Sequence, residues 1–203
     1  MSKALSTLAS ITVLLGGLAT LYIATDAGTA WTSESARKLD IQKNPKLLPT
    51  VELIGSTVGR HSIDKYNKPV ILIDFIYTQC PTVCIGLGLE FRQLQNDLLA
   101  LGYKDQVQLL SISFDLINDQ PEQLANYLKR FNADPSIWAA TVFGSAAEKS
   151  QVLDELGVIV IPEKNVGFVH NTGIYMVHKG KVINVFELNQ HHQLLEAIIS
   201  YLG

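Results

Sequence analysis

The chain has 203 residues, enough for one ordinary domain with a terminal extension or for two very small domains. Hydrophobic residues make up 47% of it and charged residues 17%, a balance that excludes an intrinsically disordered protein. The net charge of −3 argues against a basic surface for nucleic acid. Two cysteines are too few for a disulfide-stapled miniprotein or a four-cysteine zinc ribbon. We therefore expect a compact, mildly acidic domain with no nucleic-acid partner.

An apolar segment without charged side chains comes first in the chain. Residues 4–24, as a helix that rises about 1.5 Å per residue, would span the roughly 30 Å of a bilayer core. This length favours an uncleaved membrane anchor over a secretory signal, whose apolar region is typically about 7–15 residues. The signal alternative stays open, because Gly28 and Ala30 suit cleavage before Trp31.

The charges on either side of this segment predict its orientation. Lys3 is the only charged side chain before it, and Asp26 and Glu34 follow it. The positive-inside bias then keeps the N-terminus in the cytoplasm and exports the rest. We predict a single-pass protein of the cell inner membrane with its soluble domain on the periplasmic side, where an exported cysteine pair meets an oxidising compartment.

The remaining pattern predicts a tether and one domain. The boundaries are a membrane anchor at residues 1–25, a polar tether at 26–46 and the domain at 47–203. Apolar runs and helical spacings predict, in chain order, a strand at 70–77, a helix from near Pro81 to Gly102, a strand at 107–114, a helix opened by Pro121, a short strand at 137–143, a helix capped by Ser145 and Glu148, a hairpin of 173–177 with 182–186, and a helix at 190–202. This order predicts an α/β domain of thioredoxin-like arrangement with a mixed central sheet.

Both cysteines lie on the turn between the first of these strands and the helix after it. Cys80 and Cys84 are four residues apart, so their sulfurs share one face of a helix that starts near Pro81. The carboxyl end of a strand in an open α/β sheet is where sites form, and a helix N-terminus favours the thiolate. The pair can therefore form a disulfide, hold a soft metal ion, or do each at different times.

One of the five histidines is placed to join the cysteines. His170 directly precedes the predicted hairpin, and residues 157–167 are predicted as a loop that lets it move. Two sulfurs and one imidazole nitrogen suit Cu(I), and with a further ligand Cu(II), better than structural zinc with its usual four protein ligands. A structural histidine is the alternative that the residues leave open. Asp115 and Asp119 are interpreted as a strand-end turn and a helix cap rather than ligands.

Three blocks of the sequence resemble the Sco/SenC family, thioredoxin-fold copper proteins tied to assembly of the dinuclear copper centre of cytochrome c oxidase. The blocks are the strand with CPTVC at 68–84, SISFD with DQPEQL at 111–124, and HNTGIY at 170–175. The resemblance covers roughly residues 47–186. By position, it implies that Cys80, Cys84 and His170 are copper ligands.

Asp74 departs from that family pattern. It lies six residues before Cys80 in an apolar strand, where a buried carboxylate is costly unless it is protonated or paired. Thioredoxins carry a buried Asp at this offset in a similar V-D-F context, and there it assists proton transfer to the dithiol. Asp74 is therefore a candidate proton shuttle with a raised pKa. Pairing with Lys68, or exposure to a water pocket, is the alternative.

Two functions follow as expectations. The first is a membrane-tethered copper chaperone that passes copper by ligand exchange to a respiratory oxidase subunit or another cuproprotein. The second is a thiol–disulfide oxidoreductase that keeps target cysteines reduced. Cys80 would attack in that reaction, Cys84 would resolve and Asp74 would shuttle the proton. The two activities can coexist, because copper binds only reduced thiols.

Overall fold

The computed structural model describes residues 2–80, 83–164 and 167–202, and it divides after residue 43 into two units. The N-terminal unit contains helices α1 (Ser2–Ala24) and α2 (Ser33–Lys43). The stretch from Thr7 to Ala24 is long and apolar enough to cross a membrane, and its side chains are exposed. Helix α2 lies inside the segment predicted as a tether.

The larger unit carries the remaining elements. Its strands are β1 (Lys46–Leu47), β2 (Glu52–Gly55), β3 (Gly59–Ser62), β4 (Val70–Ile76), β5 (Val107–Ser113), β6 (Trp138–Phe143), β7 (Val160–Glu163), β8 (Gly167–His170), β9 (Ile174–His178) and β10 (Lys181–Phe186). Its helices are α3 (Val83–Ala100), α4 (Pro121–Arg130), α5 (Ala146–Leu156) and α6 (His191–Leu202), with a 3-10 turn at Ile63–Lys65.

Eight of these strands form one mixed sheet in the order β1-β10-β9-β4-β5-β6-β2-β3. Strands β4, β5 and β6 are parallel, and the other pairs are antiparallel. Every residue of β4 and β5 is buried, as expected for strands covered on both faces. The predicted α/β fold with a mixed central sheet is confirmed.

Helices α3 and α4 pack against the sheet around Trp138. The Phe91 ring from α3 lies 5.5 Å from the Trp138 ring, and the Phe131 ring at the end of α4 lies 6.1 Å from it. A Cβ atom at Gly88 of α3 would come within 2.4 Å of the Phe131 ring. Gly88 therefore lets the end of α4 approach α3, besides lowering the helix propensity of α3.

The local signals at helix starts are confirmed where the structure describes them. Pro121 is the first residue of α4, and the Ser145 side chain accepts a hydrogen bond from the Glu148 amide at the start of α5. The predicted helix start near Pro81 lies outside the described residues. The prediction of a loop over 157–167 is wrong in part, because β7 pairs there with β8 in a second, two-stranded sheet.

Candidate metal centre

The two thiols lie where β4 ends and α3 begins. Cys80 and Cys84 are both free and both buried, with 6% and 2% of their surfaces exposed. The backbone amide of Cys84 donates to the Cys80 sulfur over 3.3 Å. The first turn of α3 thus directs an unpaired N–H group at a sulfur, as the sequence predicted for a helix N-terminus.

Burial sets the protonation of the second thiol. It raises the pKa of Cys84 well above the usual range, and the neighbouring Cys80 and Asp74 add to the effect. The prediction that the helix N-terminus favours a thiolate is therefore wrong for Cys84, because desolvation outweighs the helix end. Cys84 is therefore protonated at neutral pH.

The His170 imidazole lies beside the thiols, although His170 is 86 residues after Cys84 in the sequence. Its Nε2 atom lies 4.0 Å from the Cys84 sulfur, and its Nδ1 lies 3.1 Å from the Asn171 carbonyl oxygen. A carbonyl only accepts, so Nδ1 carries the hydrogen and Nε2 presents its lone pair to the sulfur. Burial lowers the pKa of His170, which keeps the ring neutral and able to bind a metal.

These donors fit a soft metal ion. Bonds of about 2.0 Å to imidazole and about 2.3 Å to thiolate allow a nitrogen–sulfur separation of up to about 4.3 Å, and the observed 4.0 Å lies within that limit. In the part of the chain that the structure describes, no three His, Cys, Asp or Glu side chains already stand as a metal site. The complete ligand set of Cys80, Cys84 and His170 therefore remains a prediction.

An aromatic cluster of Tyr77, Phe114 and Phe168 surrounds the imidazole. The Phe114 ring lies 5.0 Å from the His170 ring and 5.4 Å from Phe168. Tyr77 lies 5.2 Å from Phe168 and 6.3 Å from His170. Sequence reasoning missed this cluster. The available signal was that Tyr77 and Phe114 each follow a parallel strand, which brings both to one edge of the sheet.

A buried carboxylate fixes the turn before Cys80. Asp119 is fully buried and accepts hydrogen bonds from the Thr78 amide over 2.8 Å and from the Thr78 and Ser113 hydroxyls. The prediction of Asp119 as a helix cap is wrong, because Gln120 is the N-cap of α4. Asp115 makes the predicted turn, with its carboxylate accepting from the Asn118 amide at 3.1 Å.

Asp74 lies in the middle of the buried strand β4, beside Ser111 of β5 and Ile174 of β9. Neither carboxyl oxygen makes a hydrogen bond of good geometry within the described residues, although the Ser111 hydroxyl lies close enough to favour the ionised form. Burial raises the pKa of Asp74 to about 7. The alternative of a pairing with Lys68 is not observed, since the Lys68 ammonium donates to the carbonyls of Lys104, Val107 and Ser136.

Comparison with known proteins gives a consistent result. The family model described as SCO1/SenC matches residues 42–202. The SCO1 protein homolog of Bacillus subtilis is 30% identical over 125 residues, covering 60% of this chain and 64% of that protein. The matched part is thus just under two thirds of that relative's length.

Solved structures show the same architecture. The copper-bound structure of Bradyrhizobium japonicum ScoI aligns with a TM-score of 0.64 and 25% identity, covering 76% of this chain and 99% of that one. A second structure is that of BsSco, a protein described as having a disulfide switch and as a member of the Sco family of cytochrome c oxidase assembly proteins. It aligns with a TM-score of 0.68 and 22% identity, covering 78% of this chain and 94% of that one. The larger unit thus has the thioredoxin-like fold of these proteins.

Proposed function

Because the chain belongs to the SCO1/SenC family, we propose that it is a membrane-anchored copper chaperone that holds copper through Cys80, Cys84 and His170. The observation that carries this proposal is the neutral His170 Nε2 lone pair, 4.0 Å from the Cys84 sulfur. The Asn171 backbone carbonyl accepts a hydrogen bond from the other ring nitrogen, as carbonyls commonly do for metal-binding histidines.

Binding of copper to the thiols releases protons. Cu(I) is the cargo, and each cysteine binds it as a thiolate, so Cys84, which burial keeps protonated, releases its proton when the ion binds. His170 is already neutral and releases none. Transfer then proceeds by ligand exchange, in which donor atoms of the recipient replace those of the chaperone one at a time.

Copper titration of the full chain in detergent micelles, under reducing conditions with a competing chelator, tests this function. The wild type should bind one Cu(I), and His170→Ala should bind at least about tenfold more weakly. His192→Ala removes an exposed imidazole and serves as the matched control. Equal affinities in all three proteins would refute the assignment of His170.

The place of action and the recipient are parts of the same proposal. Helix α1 would anchor the protein in the cell inner membrane, with the larger unit on the periplasmic side, and the recipient would be a copper-accepting oxidase subunit or another cuproprotein. Support comes from the apolar stretch of α1 and from a structural neighbour described as an oxidase assembly protein. Protease added to spheroplasts should digest the larger unit, and full protection would contradict this orientation.

A second candidate function, thiol–disulfide exchange, is favoured by Asp74. The Cys80 thiolate would attack a target disulfide, and Cys84 would then resolve the mixed disulfide. The target gains two thiols, the chaperone gains the Cys80–Cys84 disulfide, and an external dithiol must reduce it again. The buried Asp74, with its pKa raised to about 7, can accept the proton of the resolving thiol.

Asp74→Asn separates this second function from the first. It should slow reduction of a model disulfide at pH 7 by about tenfold, while the one-to-one affinity for Cu(I) stays at the wild-type value. Asp154→Asn, at an exposed position of α5, is the control. An unchanged exchange rate would remove the proposed role of Asp74.

A further inference from the structure

The strand that carries His170 is not part of the sheet that carries the thiols. Strands β7 and β8 form a two-stranded sheet of their own, whereas Cys80 follows β4 in the middle of the eight-stranded sheet. The main sheet holds the chain at Ile174, four residues beyond His170, where β9 pairs with Asp74 of β4. Contacts of β8 itself are needed to set the position of the His170 ring within that limit.

Tyr77 makes such a contact from the segment that links β4 to Cys80. Its hydroxyl donates to the Phe168 carbonyl oxygen over 3.3 Å, and its ring meets the Phe168 ring edge-on at 5.2 Å. A carbonyl oxygen only accepts, so the Tyr77 hydroxyl is the donor, and the same hydroxyl lies beside the Cys80 side chain. The backbone carbonyl of Tyr77 also accepts from the Cys80 amide at 3.2 Å. One residue thus touches both the thiol turn and the histidine strand.

The chain is shaped to let β8 come this close. Gly167 begins β8 with a φ of +92°, and a Cβ atom there would lie 3.2 Å from the Tyr77 ring. A larger residue would be strained by the backbone conformation and would push β8 away from Tyr77. Phe114 fills the other side, with its ring 5.7 Å from Tyr77 and 5.0 Å from His170.

We propose that Tyr77 is a positioning residue for copper, a latch that holds the β7–β8 hairpin closed so that His170 reaches the thiols. This inference deepens the proposed function and rests on it. With the latch closed, His170 is a ligand. With the latch open, His170 leaves the ion and Cys80 and Cys84 alone hold it, ready for exchange with a recipient. Contacts between a few side chains are easier to break than the backbone hydrogen bonds of the main sheet, so the hairpin can open without disrupting that sheet.

Two variants of the full chain test the latch. Tyr77→Phe removes only the hydroxyl and should weaken Cu(I) affinity by about threefold, whereas Tyr77→Leu also removes the ring and should weaken it by at least about tenfold. Tyr66→Phe is the matched control, because it deletes another phenol hydroxyl that accepts or donates one hydrogen bond, 3.1 Å from His61 Nε2. Its affinity should equal that of the wild type.

A double-mutant cycle distinguishes positioning from a general structural role. Tyr77→Leu in a His170→Ala background should cost clearly less affinity than in the wild-type background, because the latch acts through that histidine and only the contact of Tyr77 with Cys80 then remains. A further loss as large as in the wild-type background would overturn the latch. If the wild type itself binds no copper, the proposed function fails instead, and the two failures are therefore distinguishable.

Hydrogen exchange gives a measurement that needs no copper. The amides of β8 should exchange at least about fivefold faster in Tyr77→Phe than in Tyr66→Phe, with β4 and β5 unchanged. Equal protection of β8 in both variants would overturn the latch, even if Tyr77→Leu fails to fold.

Discussion

The thiol side and the histidine side of the candidate site are built in different ways. Cys80 and Cys84 follow a strand whose seven residues are all buried, and Asp119 holds the turn before Cys80 through its hydrogen bonds to Thr78. His170 lies on a two-stranded sheet in which alternate residues of β8 and three of the four residues of β7 are exposed. The thiols are thus part of the core, whereas the imidazole is attached to its surface.

This difference suits a protein that must hold a metal ion and later give it up. A rigid pair of sulfurs keeps the ion from escaping, and a ligand on a separable hairpin can leave first. The following predictions test the contrast, since changes on the thiol side should alter global stability and changes on the histidine side should act locally.

Asp119→Ala should have the largest effect. It leaves the Thr78 amide and the Thr78 and Ser113 hydroxyls without their shared acceptor, so the free energy of unfolding should fall by about 3 kcal/mol. Urea unfolding of the full chain in micelles measures this, with the exposed Asp154→Ala as control. A loss no larger than that of the control would show that the thiol turn is not tied down by Asp119.

Asp74→Asn should change the pH dependence of stability. The pKa of Asp74 is raised to about 7 by burial, whereas an unfolded chain loses this proton near about 3.9. Between these values the folded state holds a proton that the unfolded state has lost, so wild-type stability falls as pH rises from about 4 to about 7.

The Asn variant lacks this titration. The difference in unfolding free energy between the Asn variant and the wild type should shift in favour of the variant by on the order of 3 kcal/mol between about pH 4 and pH 8. Urea unfolding at both pH values measures the gain. Parallel pH profiles of the two proteins would mean that Asp74 is ionised in the folded state.

Asn171→Ala should act on the histidine side alone. The Asn171 side chain accepts from the Ile159 amide at 2.7 Å and donates to the Gly157 carbonyl at 3.0 Å, which closes the base of the hairpin. Its loss should cost only about 1 kcal/mol of global stability but should speed amide exchange in β7 and β8. Equal acceleration in β4 would contradict the independence of the two regions.

His191→Gln should have the smallest effect. The His191 ring bridges Glu90 and Asp97, joining α6 to the helix that carries Cys84. Partial burial alone would lower the pKa of His191, but the two carboxylates outweigh it and the net shift is upward.

The sign of this effect follows from the upward shift. The bridge stabilises the protein fully below about pH 6.5, where even the histidine of an unfolded chain is protonated. Its contribution is lost as pH rises through the pKa of His191 in the folded protein. Screened by solvent, it should contribute less than about 1 kcal/mol. Thermal unfolding near pH 6 should show the deficit of His191→Gln, and near pH 9 the deficit should vanish. A deficit that persists at the higher pH would exclude an ionic bridge.

The sequence predicted the thiol side better than the histidine side for a physical reason. Strand β4 and helix α3 are long and have regular apolar patterns, and the cysteines lie at their junction. Strands β7 and β8 have four residues each, and Pro162 within β7 reads as a loop. The approach of Tyr77 to Phe168 depends on tertiary packing across 91 residues, which no local pattern encodes.

The sheet order also determines at which stage of synthesis and folding the site becomes complete. Strand β9 lies between β10 and β4, and Asp74 pairs with Ile174, four residues after His170. The imidazole and the Cys84 sulfur are separated by 86 residues, so they meet only after almost the whole polypeptide has been synthesised and its last hairpin has joined the sheet. A partly synthesised chain offers two sulfurs alone, and copper captured at that stage would be held without the nitrogen donor.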